Sequence, residues 1–329
     1  MTHQTSSGNT WSTQVDASGA FARRPTTFRG AVSAASQTLQ PEAGRYHLYV
    51  SLACPWAHRT LIARAVKGLE AAISVDVVHP HLTERGWSFE TDFPGTTGDS
   101  MGGRSMLRER YLESDAAFEG VVTVPVLWDR KLGSIVNNES GDILRMFNAE
   151  FQAFAKNPAI DLYPLALREQ IDALNAWIYS DINDGVYRAG FARSQSAHDA
   201  AVSRLFGGLE RVESLLERQR YLCGDVFTEA DIRLFVTLIR FDPVYHTHFK
   251  CNRRSMLQSP GLLRYMADIY RLPGVAATVN LDHVRHHYYG SHKHINPSGL
   301  IPQGPDVLAA LASVEMDSAR RADHGRGIT

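Results

Sequence analysis

The stretch that most constrains this chain is Tyr46-His-Leu-Tyr-Val-Ser-Leu-Ala-Cys54-Pro-Trp-Ala-His-Arg-Thr-Leu-Ile62. Tyr46 to Leu52 is aromatic, β-branched and leucine-rich, and is bounded upstream by Pro41 and Gly44. That pattern predicts a buried strand. From Pro55 no helix breaker intervenes until Gly68, and Leu61, Ile62, Ala65, Val66 and Leu69 recur at helical spacing. A helix follows, with proline in its first turn, where the missing N–H costs nothing. Cys54 stands at the junction, beside the free N–H groups and positive dipole end of that helix. His58 and Arg59 add basic residues nearby. This setting predicts a thiol with a depressed pKa, in the range of about 3.5–7.5 reached by reactive cysteines. The plainer reading of a lone cysteine is a small buried side chain that fills space at a helix start.

The strand–cysteine–helix constellation resembles the redox or nucleophilic site of a thioredoxin-like fold. A dithiol motif would carry a second cysteine three residues on, where this chain has Ala57. A monothiol site calls on an external small thiol such as glutathione. The chain's 329 residues allow about two domains, and 44% hydrophobic with 21% charged residues is ordinary for a soluble globular protein. A net charge of −1 gives no electrostatic case for nucleic acid or an anionic membrane. No run of about 18 apolar residues predicts a membrane span. The polar N-terminus lacks a signal-peptide core. Three scattered cysteines, Cys54, Cys223 and Cys251, make no disulfide framework. The expectation is a cytoplasmic protein.

Residues 1 to about 20 are rich in Ser, Thr and Gly, which predicts flexibility, and Phe21 to Arg29 reads as an arm packing Phe21 and Phe28 against the body. A second strand is expected over Ile73–Val78. A long polar stretch from His79 to about Gly120 carries Trp87, where nothing structural demands a tryptophan, and a short basic helix from Arg104 to Ser114. Val121 to Asp129 reads as a strand containing Pro125, hence an edge or a bend. In thioredoxin-like folds this proline is cis and lies beside the active cysteine. Asp129 to Gly133 reads as a hairpin turn into Ser134–Asn137. Glu139 and Ser140 open a helix, either as ordinary caps or as holders of a ligand amine and carboxylate. After a linker at Asn157–Pro164 the pattern is helical: Leu165–Tyr179, Ala197–Leu216, Ile232–Ile239 behind a Thr228/Asp231 capping box, Pro260–Leu272 and Val275–Val279. From about Asp306 the tail is expected to fray. The organisation is an arm over 1–43, a thioredoxin-like unit over 44–156, an all-helical unit over 163–305 and a tail over 306–329.

A single-cysteine thioredoxin-like half followed by a helical half with a Thr-x-x-Asp box resembles a cytosolic glutathione transferase. Longer motifs narrow the resemblance: Cys54-Pro-Trp-Ala-His-Arg-Thr, Gly86-Trp-Ser-Phe89, Val124-Pro-Val-Leu-Trp-Asp129, Ile135-Val-Asn-Asn-Glu-Ser140, Asn183-Asp-Gly-Val-Tyr187, Arg240-Phe-Asp-Pro-Val-Tyr-His246 and His287-Tyr-Tyr289. These closely resemble the xi class, the glutathionyl-hydroquinone reductases, from about Phe21 to Pro305. The Phe93–Ser105 loop and both termini depart from that pattern.

The resemblance implies an enzyme that reduces glutathionyl-hydroquinones. Cys54 thiolate would attack the sulfur of the conjugate, hydroquinone would leave, and a second glutathione would release oxidised glutathione from the mixed disulfide. It further implies a glutathione site of Trp87, Arg108, Val124, Glu139 and Ser140. Arg104 and Arg110 compete with Arg108, and Val124 contributes backbone. A hydroquinone pocket would use Tyr187 and Tyr288, with His287 and Tyr289 beside them and the two tyrosines acting in catalysis. It implies a homodimer and no metal; His283, His286, His287, His292 and His294 have no spacing that fits a tight site. Asp231 reads as a helix cap rather than a catalytic acid, and Cys223 and Cys251 as structural. Open alternatives are the same chemistry with another low-molecular-weight thiol, broader deglutathionylation, thiol-transferase or dehydroascorbate reductase activity, and a non-catalytic binding module.

Overall fold

The computed structural model describes residues 16, 18–21, 23 and 25–315. Most of the N-terminal stretch expected to be flexible, and the tail beyond residue 315, lie outside the described residues.

β1 (Tyr46–Val50) is buried along its whole length, as its apolar run requires. It lies inside a four-stranded sheet of order β2-β1-β3-β4. β2 (Ser74–Val77) pairs with it in parallel, β3 (Val126–Asp129) pairs antiparallel on its other side, and β4 (Ser134–Asn137) pairs antiparallel with β3. The parallel crossover between β1 and β2 is α1 (Pro55–Lys67), with Pro55 in its first turn and Gly68 at φ +66° closing it. Glycine takes that left-handed cap without a Cβ penalty. α2 (Leu107–Ser114) packs on β4, and α3 (Ser140–Ala149) packs on α1.

The second half is helical: α4 (Arg168–Ile178), α5 (Gly185–Gly190), α6 (Gln195–Leu216), α7 (Glu229–Arg240), α8 (Pro260–Tyr270), α9 (Leu281–Ser291) and α10 (Val307–Ser313). Widened π turns at Tyr179–Asn183 and Phe241–Tyr245 continue α4 and α7. Such turns often mark functional positions, and both face the junction between the halves. There α1 packs on α7.

The differences from expectation have local causes. α2 begins at Leu107 rather than Arg104, because the N–H groups of Arg104 and Ser105 are taken by the Asp99 and Glu109 carboxylates at 2.8 and 3.0 Å. The proline strand is only Val126–Asp129, with a cis Val124–Pro125 peptide just before it. Val275–Val279 holds a single 3₁₀ turn. The chain does not fray at Asp306: Val307 and Leu311 are buried, and the Arg271 guanidinium donates to the Leu311 and Val314 carbonyls. α9 escaped the periodicity because it carries His283, Arg285, His286 and His287 among its apolar residues.

The capping box at α7 is present, and Asp231 does more than cap. Its carboxylate accepts the N–H groups of Thr228 and Leu222, both at 2.8 Å, and the Tyr265 hydroxyl of α8 at 2.9 Å. Burial raises its pKa to about 6, so it is ionised at neutral pH. Asp231→Ala orphans these buried donors and lowers stability by about 3 kcal/mol. Urea denaturation measures this; a loss below about 0.5 kcal/mol, the range of ordinary surface substitutions, would contradict the role.

Candidate active site

A cleft of about 820 Å³, open mouth included, lies between the two halves with Cys54 on its wall. The β1–α1 connection puts Cys54 at the N-cap of α1, and its Sγ–H donates to the Val124 carbonyl at 3.5 Å. Arg240, fully buried on α7, holds this connection from behind. Its guanidinium donates to the Leu52 and Ala53 carbonyls at 3.0 and 2.9 Å and to His58 Nδ1 at 2.9 Å.

The expected low thiol pKa is not met. Burial is the largest influence on Cys54 and pushes its pKa above the ordinary thiol value. The N–H groups of Ala57 and Trp56, and then the cations Arg240 and Arg23, oppose it without overcoming it. The basic residues counted on from the sequence face elsewhere. His58 is held neutral by burial and by Arg240, and its Nε2 meets Thr278 Oγ1 at 2.8 Å. Arg59 stacks over Trp56 and donates to Asn183 Oδ1 at 2.8 Å. Only thiolate reacts, so alkylation of Cys54 by iodoacetamide accelerates about tenfold per pH unit across about pH 6–9. Cys54→Ala is the control, and a plateau below about pH 7 would contradict the raised pKa.

Most of the expected site residues meet in this cleft. Trp87, Val124, Glu139 and Ser140 line one part of it, and Tyr187, Tyr288 and His287 line another. The Trp87 indole N–H is buried with no hydrogen-bond partner among the described residues. Glu139 does cap α3, accepting the Gly141 N–H at 3.2 Å, and also receives the Thr26 hydroxyl at 3.3 Å. The Tyr187 and Tyr288 hydroxyls are 2.6 Å apart. His287 stacks on Trp87 and points Nδ1 at the Pro80 carbonyl, 2.8 Å away; burial lowers its pKa to about 4, so Nδ1 carries the proton and donates.

Two expected residues lie outside the cleft. Arg108 donates to the Phe118 carbonyl at 3.3 Å, and the Tyr289 hydroxyl donates to the Pro243 carbonyl at 3.2 Å. The competing arginines are also engaged elsewhere, Arg104 with Glu113 and Arg110 with Asp99 and Glu113. The arginine that does line the cleft is Arg23, from the N-terminal arm. It pairs with Asp184 at 2.9 Å and lies over both Trp56 and Tyr187, 4.8 Å from each ring. Phe21 and Phe28 mark the arm in the sequence, whereas no local pattern marks Arg23 between them as a cleft residue. Trp56, Tyr179 and His292 also line the cleft. His292 pairs with His248 across 3.1 Å, and both imidazoles are kept neutral by burial. No three histidine, cysteine or acidic side chains converge on a metal-sized site among the described residues. Cys223 and Cys251 are buried thiols with pKa values raised to about 11 and about 12 by that burial.

Comparison with known proteins matches this geometry. Residues 53–150 fit the family described as glutathione S-transferase, N-terminal domain, and residues 195–268 its C-terminal domain. The chain is 51% identical over 304 residues to the glutathionyl-hydroquinone reductase YqjG of Escherichia coli, covering 90% of this chain and 92% of that one. It is 44% identical to the glutathionyl-hydroquinone reductase PcpF of Sphingobium chlorophenolicum, covering 90% and 93%. The chain belongs to the glutathione transferase family. The xi-class glutathione transferase structure from Phanerochaete chrysosporium superposes with TM-score 0.87 at 47% identity, covering 89% of this chain and 95% of that one. The glutathione-bound structure of YqjG, a transferase homologue, superposes with TM-score 0.83 at 53% identity, covering 85% and 94%. This transferase is therefore of the xi class, with the thioredoxin-like half carrying the cysteine and the helical half the tyrosines.

Proposed function

We propose that the protein is a glutathionyl-hydroquinone reductase, using glutathione as co-substrate and Cys54 as nucleophile. The observation that carries this reading is the composition of the cleft: one thiol at the Val124 carbonyl, the unpartnered Trp87 indole N–H, and a pair of phenols. The Trp87 N–H, the Val124 backbone and the Glu139–Ser140 start of α3 bind the glutathionyl group. Glu139 takes an amine and the α3 N-terminus favours a carboxylate. Tyr187 and Tyr288, with His287 alongside, hold the hydroquinone ring, their hydroxyls bonding its oxygens. Arg23 takes the place in this account that Arg108 held on sequence grounds, because it lines the cleft and Arg108 does not.

Cys54 thiolate attacks the thioether sulfur, hydroquinone leaves, and Cys54 becomes a mixed disulfide with glutathione. A second glutathione releases oxidised glutathione and restores the thiolate. Both other cysteines are buried apart from the cleft, so an outside thiol must close the cycle. We retain the division into an arm, a glutathione-binding unit over 44–156 and a helical unit from 163, extending the last through α10. We further infer a cytoplasmic homodimer. No helix among the described residues is long and apolar enough to cross a membrane; sedimentation tests the dimer.

The function is tested by steady-state turnover of a glutathionyl-hydroquinone with excess glutathione. The expected result is release of free hydroquinone and oxidised glutathione in equal amounts. Wild-type protein that binds neither glutathione nor conjugate would overturn it.

A further inference from the structure

A second hollow, of about 1480 Å³ with its open mouth included, lies beside the cleft. Phe191 and His292 line both, so these two rings, 5.2 Å apart, form the wall between them. The hollow is built where the segment after β2 meets the end of α9. The Leu82 N–H donates to Ser291 Oγ at 2.9 Å and clips that segment to the helix. The His81 ring lies against the α9 backbone at Gly290, where a Cβ would stand 2.9 Å from its Cδ2 and Nε2, closer than side chains pack. The His286 ring is 5.9 Å from the His81 ring, and His294 stacks on Phe191 at 5.9 Å. Among the described residues no hydrogen bond engages the His81, His286 or His294 ring, and the three form no metal-sized group. Leu82, Phe191 and Ile301 supply apolar wall, and the charged residues of the lining are Lys293 and Glu84.

We propose that this hollow is a second ligand site, which takes an arene bearing one carboxylate, its ring against Phe191 and Leu82 and its carboxylate on His81, His286 and Lys293. Flat rings and aliphatic walls suit an aromatic ring, and imidazole N–H groups with an ammonium suit a carboxylate. Lys293 and Glu84 cancel each other, so the charge that balances the anion is a proton taken up by an imidazole.

The surroundings set the sign of that uptake. Burial holds the His81 pKa below the ordinary histidine value; His79, His286 and Lys293 push it the same way, and Asp92 opposes them. Burial, and after it Arg193, lowers His294. Both rings are therefore neutral at pH 7 without a ligand. Asp92 is paired with His79 at 3.4 Å, and His283 of α9 is engaged with the Pro94 carbonyl at 2.7 Å. The carbonyl end of α9, which closes at Ser291, favours an imidazolium once an anion offsets the neighbouring cations. A carboxylate raises the lowered pKa values, so binding takes up a proton and tightens as pH falls from about 8 to 6.

The site stands apart from the reductase reading, and its test does not use that reading. The probe is 2-naphthoate, titrated by calorimetry into protein held in saturating glutathione, in two buffers of different ionisation enthalpy. The expected result is uptake of about half a proton per naphthoate at pH 7 and about tenfold higher affinity at pH 6 than at pH 8. The neutral 2-naphthamide shows no such pH dependence. His81→Gln combined with His286→Gln weakens naphthoate binding about tenfold and flattens its pH dependence, the loss of charged hydrogen bonds. Glu84→Gln removes the opposing charge and tightens binding about two- to threefold, a gain that a damaged fold does not produce. Tyr187→Phe, in the cleft, leaves the affinity unchanged. Absence of naphthoate binding, affinity independent of pH, or equal affinity in wild type and the double variant would overturn the proposal. Weakening by Tyr187→Phe as large as that by the double variant would place the ligand in the cleft and overturn it as well.

Discussion

Replacing Cys54 by serine leaves a folded protein that binds glutathione and releases no hydroquinone. A serine oxygen cannot form the disulfide through which the thioether sulfur is carried away, and serine lacks the sulfur nucleophile's reactivity at neutral pH. Turnover is expected to fall by about three orders of magnitude or more, the scale seen when a covalent nucleophile is deleted. The thiol donates a weak bond to the Val124 carbonyl and receives the N–H groups of Ala57 and Trp56, contacts that a serine oxygen also makes, so the change costs little stability. Circular dichroism and glutathione titration of the variant check that the defect is chemical. Residual turnover above about one-tenth of wild type would place the nucleophile elsewhere.

Arg240 predicts the second large effect. It is 1% exposed, and its hydrogen-bond partners are the Leu52, Ala53 and Val236 carbonyls and His58, with no carboxylate among them. It is a buried cation spent on holding the loop that presents Cys54. Arg240→Met leaves the Leu52 and Ala53 carbonyls and His58 Nδ1 without a donor. The expected loss is about 3 kcal/mol or more, from several unpaired buried acceptors. The same change removes one of the cations that oppose burial at Cys54, so the thiol pKa rises further and alkylation at neutral pH slows. Arg240→Lys restores the charge without the planar fork and recovers the alkylation rate more than the stability. Urea denaturation and iodoacetamide kinetics separate the two. A stability change below about 1 kcal/mol would show that the loop holds itself.

The parts legible in the sequence were those written in periodicity and turn chemistry. The strand before Cys54, the proline-started helix, the hairpin at Gly133 and the capping box at Thr228 all follow local rules, and all are present. What escaped was set by contacts between distant segments. The Cys54 pKa depends on how much aromatic surface the helical half lays over the cleft and on where side chains one turn on point; neither is a property of residues 54–59. Arg23 reaches the site only because Phe21 packs on Phe191 and Asp184 receives its charge. Tyr245 stood in a motif already singled out, but a hydroxyl that meets Tyr288 across 43 positions has no local signature. α9 supplies His287 and Tyr288 from a stretch whose histidines hide its apolar face.

The account's central claim is that Cys54 takes the glutathionyl group directly from the aromatic conjugate. The most direct measurement is a single turnover: wild-type protein mixed with one equivalent of glutathionyl-hydroquinone and no free thiol, followed by intact and peptide mass spectrometry. The account predicts one glutathionyl group on Cys54 and an equal amount of free hydroquinone, both removed from the record by Cys54→Ala. Hydroquinone released with Cys54 unmodified, or a glutathionyl group found on Cys223 or Cys251, would contradict it.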